Sequence, residues 1–140
     1  MSRSERRRAP GALALVAALI ALAAGCSSDK ITVAVDSTVE TNGGRPFYAV
    51  VRAVEQATFV TDGYDSIASK VFQNPPDPSV LRSEVVYPGT TLKIKVTKPD
   101  VLPVAVYLLF NEPGERWKAS FAQPLSNISL ECEKNSLKKD

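Results

Sequence analysis

The chain contains no histidine. That removes the commonest general base and the commonest imidazole ligand for a metal, and it makes Ser-His-Asp and Cys-His arrangements impossible. Only two cysteines are present, Cys26 and Cys132. Cys132 therefore has no imidazole to activate it. A glycine-rich phosphate loop is also missing, because Gly43-Gly44 lies between two expected strands and does not open a helix. Ser136 and Lys139 fit the spacing of a serine–lysine dyad but sit in a charged tail. Ser69 and Lys70 are adjacent on an expected helix and so face different ways. The carboxylate pairs Asp62/Asp65, Glu112/Glu115 and Glu131/Glu133 read as helix-start charge, a turn and an exposed strand face. No catalytic residue, metal site or cofactor is expected.

What is present begins with an N-terminal signal. Arg3, Arg6, Arg7 and Arg8 precede an unbroken small and apolar run from Gly11 to Ala24. A segment of that length with that flank is a secretory signal and not a spanning helix. It ends in Leu22-Ala23-Ala24-Gly25-Cys26, small residues before a thiol, as a lipoprotein signal peptidase requires. Residues 1–25 are expected to be removed and Cys26 to carry the lipid. Cutting there also takes away four arginines and Glu5, which turns a formal charge of +2 into −1. The apparent basicity belongs to the signal, so no nucleic-acid footprint is left. Lipidation uses up Cys26 and leaves Cys132 unpaired, so the body must hold by packing alone.

The mature chain is long enough for one domain with a real core and not for two. A tether over 26–30 leads to Ile31, Val33 and Val35, which alternate with Thr32, Ala34 and Asp36 in the period of a half-buried strand. Pro46 to Glu55 is a longer apolar stretch, expected to be covered on both faces. Further strands are predicted at Ser83–Tyr87, Leu92–Val96, Val104–Phe110, Trp117–Phe121 and Ile128–Glu133, with Cys132 in phase with Ile128 and Leu130 and so pointing inward. Between the second and third strands, Tyr64, Ile67, Ala68, Val71 and Phe72 form the stripe of an amphipathic helix placed at about 58–72. Thr61 or Asp62 is expected to cap its start, and Asn74-Pro75-Pro76-Asp77-Pro78 to end it. Seven short strands with one helix predict a mainly β, two-sheet antiparallel sandwich over 31–135, with 136–140 frayed.

A small body without catalytic groups is better suited to binding, and loops carry the contacts on such scaffolds. The segment with the most backbone freedom is Ser37, Thr38, Val39, Glu40, Thr41, Asn42, Gly43, Gly44 and Arg45. A plain connection between strands is the competing reading. A different class of function, a periplasmic lipoprotein binding a small ligand or glycan, requires an apolar pocket and solvent-exposed aromatics such as Tyr48 or Trp117. An assembly chaperone requires a groove for a partner helix.

The order of features resembles a known family. A lipidation site at Cys26 lies close to a first strand. A polar loop ends in Gly44-Arg45-Pro46 and leads into Val50-Val51-Arg52-Ala53-Val54. Spaced aromatics Phe59, Tyr64 and Phe72 follow, then a Pro88-Gly89 turn, an apolar strand ending in Phe110, and Arg116-Trp117-Lys118 after a short acidic turn. Across residues 22–123 this is similar to the outer-membrane lipoprotein of the type VI secretion system, the TssJ/SciN/VasD family. The resemblance implies a transthyretin-like sandwich with an added helix. It implies a structural role, with the protein lipid-anchored in the outer membrane and facing the periplasm. The implied partner is the periplasmic C-terminal region of the inner-membrane subunit TssM, contacted through the loop between the first two strands, Ser37 to Arg45 here. Val39 and Arg45 are then the expected anchors, with Glu40 and Asn42 at the rim. No small-molecule substrate is implied. Ser27, the residue after the lipidated cysteine, fits export to the outer membrane.

Overall fold

The computed structural model describes residues 29–138; the signal, Cys26 and the first residues of the tether lie outside them. The described residues form seven strands and two short α-helices: β1 (Lys30–Asp36), β2 (Phe47–Ala53), α1 (Gln56–Thr61), α2 (Tyr64–Phe72), β3 (Val80–Val86), β4 (Thr91–Thr97), β5 (Val104–Leu109), β6 (Lys118–Phe121) and β7 (Ile128–Glu131). They make two packed sheets, ordered β4-β1-β7 and β3-β2-β5-β6. The fold is thus the mainly β, two-sheet sandwich that the alternation predicts. One pair departs from the antiparallel pattern: β7 runs parallel to β1, with Val33 opposite Ile128 and Val35 opposite Leu130.

Alternation sets the layers. Ile31, Val33 and Val35 of β1, Ile94 and Val96 of β4, and Ile128 and Leu130 of β7 point at Phe47, Ala49, Val51, Val104, Val106 and Leu108 of the facing sheet. Each fully buried aliphatic side chain contributes about 1.5–3 kcal/mol against leaving it in water. The outer face of the four-stranded sheet is covered as well. Val50, Ala105, Tyr107 and Leu109 pack under Phe59, Tyr64, Ile67, Ala68 and Val71 of the helices. This second layer is why β2 and β5 read as nearly continuous apolar runs, whereas the outward residues of β4, Lys93 and Lys95, are exposed.

Four expectations are corrected. The single helix at 58–72 is two helices separated at Asp62-Gly63. Neither Thr61 nor Asp62 caps the second: Thr61 Oγ1 donates back to the carbonyls of Ala57 and Thr58, and Asp62 turns inward to a buried arginine. An ion pair in a dry interior outweighs a solvent-edge cap. The tether is shorter than 26–30, because Lys30 already pairs with Thr97. The C-terminus is not frayed from 136. Leu137 is buried, bridges to Cys132 and donates its N–H to the Arg116 carbonyl at 2.7 Å.

The strands define two ends. Beside the start of β1 lie the ends of β2, β4 and β6. Beside the end of β1 lie the loop 37–46, the β3–β4 turn, the β5–β6 connection and the segment after β7. Direct bonds confirm the second grouping: Ser37 N–H to Thr90 O at 3.1 Å, and Asn42 N–H to Lys134 O at 2.7 Å.

Candidate functional site

The loop from Ser37 to Arg45 divides into an inner and an outer half. Ser37, Thr41 and Asn42 are buried. Ser37 Oγ donates to Thr90 O at 2.9 Å. Thr41 Oγ1 accepts the Thr38 N–H at 3.0 Å. Asn42 is the hub: its side-chain amide donates to the carbonyls of Arg45 at 3.0 Å and Pro46 at 3.2 Å, while its Oδ1 accepts the Asn111 N–H at 2.7 Å. Asn42 therefore belongs to the loop's internal frame, not to its expected contact rim. A buried amide with every group paired is costly to remove.

The backbone explains why this sequence makes this shape. Asn42, Gly43 and Gly44 have φ of +56°, +62° and +76°, three successive left-handed residues within a short 3-10 turn, Thr41–Gly44. Asparagine and glycine are the residues that adopt that region at least cost. At Gly89 (φ +80°) a Cβ would stand 3.0 Å from Val39 Cγ1, so the β3–β4 turn closes against Val39.

The outer half faces solvent. Val39 is 75% exposed, and Glu40, Gly43, Gly44 and Arg45 are exposed with it. A shallow hollow of about 240 Å³ beside the loop is lined by Asn42, Gly43, Arg45, Asn111, Glu112, Lys134 and Asn135. Its lining is polar, unlike the apolar pocket that a small-ligand reading requires. Tyr87 stands at the same end, 61% exposed, its carbonyl accepting Ser37 Oγ at 3.3 Å. Sequence reasoning missed Tyr87, Asn111 and Lys134, because no local pattern joins residues 50 or more apart.

Of the two candidate aromatic binders, Trp117 is packed into the helical layer and Tyr48 stays exposed. Trp117 is half-buried, with its ring 5.3 Å from Tyr64 and 5.7 Å from Tyr107. Tyr48 is stacked edge-on against Phe72 at 5.1 Å.

A second polar cluster lies under the helices, and no motif announced it. Arg52 Nη1 bonds Asp62 Oδ2 at 2.6 Å, with side-chain exposures of 3% and 7%. Arg52 Nε donates to Ser79 Oγ at 3.0 Å, and the Tyr107 hydroxyl donates to Asp62 at 2.6 Å. Burial first, then the Asp62 carboxylate, pushes the Tyr107 hydroxyl well above its ordinary range. Lys118 Nζ reaches the carbonyls of Phe59 at 2.6 Å and Asp62 at 2.8 Å, a cation on the carbonyl end of α1. The only sequence signal was Arg52 itself, a charge inside an apolar strand.

Cys132 is buried, and burial first, then the Asp36 charge, pushes its thiol up to about 12. Among the described residues no cluster of three or more Cys, Asp or Glu is placed to hold a metal, and no helix is long and apolar enough to cross a membrane.

The described residues thus form a sandwich of two sheets with a helical cap and, at one end, a loop whose outer half faces solvent. The chain belongs to the IglE N-terminal domain family, whose model matches residues 48–133, from β2 to just beyond β7. The loop at 37–45 lies ahead of that span. Solved structures share the fold. Serratia marcescens Lip, a membrane-bound component of the type VI secretion system, is 15% identical, with 79% of this chain and 96% of that chain covered at a TM-score of 0.62. The type VI lipoprotein TssJ1 from Pseudomonas aeruginosa is 10% identical, covering 78% and 92% at 0.59. A chain in the structure of the type VI protein TssM C-terminal domain from EAEC is 13% identical, covering 78% and 95% at 0.61. At such identities the likeness establishes the fold. No curated protein matches the chain.

Proposed function

We propose that this protein is a structural lipoprotein of a type VI secretion membrane complex. It is anchored in the outer membrane through Cys26 and receives the periplasmic region of a TssM-like inner-membrane subunit on the outer half of the Ser37–Arg45 loop. The observation that carries the reading is polarity. β1 starts four residues after Cys26 and delivers the chain, roughly 20 Å further on, to that loop at the opposite end. A lipid at one end and a rigid exposed loop at the other suit a link between two membranes. The fold shared with two type VI lipoproteins supports the same role, as does a chain of this fold in a TssM structure.

The test uses the exposed residues only. Deleting residues 38–42 would also remove Thr41 and Asn42, the loop's frame, and so would confound binding with folding. Val39→Asp combined with Arg45→Glu should weaken capture of the TssM-like periplasmic region by about tenfold or more. The thermal midpoint should stay within about 2 °C of the parent, as for other exposed substitutions. Unchanged capture would show that the partner docks elsewhere.

A further inference from the structure

We infer that the connection between β4 and β5, residues 98–103, is a membrane-contacting tip, with Val101 seated at the boundary between headgroups and acyl chains of the leaflet that holds the lipid on Cys26. The inference rests on lipidation of that cysteine and adds which surface of the sandwich meets the bilayer.

The tether itself brings the loop there. Lys98 donates its N–H to the Asp29 carbonyl at 2.7 Å. Asp29 lies three residues from Cys26, a span of at most about 11 Å for fully extended chain. The loop is thus bonded to the last link of the anchor, and it has no freedom to turn far from the bilayer.

Its tip is apolar and held outward. Val101 is 80% exposed, more than any other large hydrophobic residue among those described. Gln123 Nε2 donates to the carbonyls of Pro99 at 2.7 Å and Leu102 at 3.1 Å, and the Val54 N–H donates to Pro103 O at 3.2 Å. Both flanks are therefore tied down, and Pro99 and Pro103 fix φ on either side. Among the exposed apolar residues, Val101 is the one held in a loop bonded directly to the tether, where a leaflet lies within reach to cover it. Ala122 and Pro124, exposed in the β6–β7 connection beside Gln123, extend the small apolar surface. The loop's charges, Lys98 and Asp100, cancel, so attraction to anionic headgroups does not supply the contact. A phospholipid leaflet with zwitterionic or anionic headgroups fits equally well.

The test uses the full lipidated protein in vesicles of phosphatidylethanolamine and phosphatidylglycerol. Val101→Cys is labelled with an environment-sensitive dye and compared with Val39→Cys at the opposite end; the native Cys132 is buried and does not compete for label. A spin label near the lipid headgroups should quench the dye at position 101 about twofold or more over position 39. Vesicle flotation and the mass of the acylated N-terminus are read on the same samples. Equal quenching at both positions, with flotation and acylation intact, overturns the membrane-contacting tip alone. Shielding at 101 that appears only at high protein density and without lipid quenching assigns the surface to a second copy and also overturns it. Loss of flotation with no acyl mass overturns the anchoring at Cys26, and this inference with it.

Discussion

Arg52 shows what one side chain does inside this protein. It sits in the middle of an apolar strand and is neutralised by Asp62, which abandons the helix cap that its position suggests. Tyr107 and Ser79 take the remaining bonds. Removing one member of a buried pair strands the other charge, so Arg52→Met or Asp62→Leu alone should each cost about 3 kcal/mol in urea unfolding. The double variant should cost less than either single one, since no charge is left buried. Additive losses would show that the two residues are not coupled. The exposure of Val39 and Arg45 was legible from residue type and loop position. Asn42 was assigned to the rim, because sequence does not reveal that its amide is consumed by Arg45, Pro46 and Asn111.

At the scale of elements, period and punctuation carried most of the information. β1, β4, β6 and β7 follow from alternation and β2 and β5 from continuous apolar runs, and the stripe Tyr64, Ile67, Ala68 and Val71 marks the face of α2 that packs on the sheet. Phe72, read as part of that stripe, instead lies over Tyr48 at the surface. The break between α1 and α2 and the parallel β1–β7 pair depend on long-range partners, which alternation does not encode. The link from α2 to β3 holds through Asp77. Its carboxylate accepts the Ser79 N–H at 2.9 Å and the Ser79 hydroxyl, and it pairs with Lys70 at 3.2 Å. These bonds, the Ser79 hydroxyl foremost, hold its pKa down to about 2. A carboxyl depressed on folding stabilises above its unfolded value near 4 and loses that contribution as pH falls towards 2. Asp77→Asn should therefore cost roughly 1 kcal/mol at neutral pH. Its deficit against the parent, followed by chemical denaturation, should close between about pH 4 and pH 2. A deficit that stays constant over that range would assign the effect to shape and not to charge.

For the whole molecule, the sequence predicted a sandwich, and the structure added direction. The expected frayed end, 136–140, is instead held as far as Lys138 by Leu137 and by the Lys138 N–H on Glu131 O at 2.9 Å. The residues just before it help build the same end as the loop, because Lys134 and Asn135 line the hollow there. If the two ends have separate tasks, they should separate experimentally. Inserting ten Gly/Ser residues between Ser28 and Asp29 adds a flexible reach of roughly 16–19 Å. The thermal midpoint should stay within about 1 °C and capture of the TssM-like region should be unchanged, while lipid quenching at position 101 falls to the level at position 39. Loss of capture in that variant would mean that the loop and the membrane-proximal end act as one surface.

The placing of β1 has a mechanical meaning. It is the central strand of its sheet, paired along all seven residues with β4 and along four with β7. A load applied between a lipid at its start and a partner held by the loop at its end would run along the strand axis. Both ladders would then be sheared at once, and their bonds would have to yield together instead of unzipping one by one. In the proposed role the protein would thus carry tension through a strand braced on both sides.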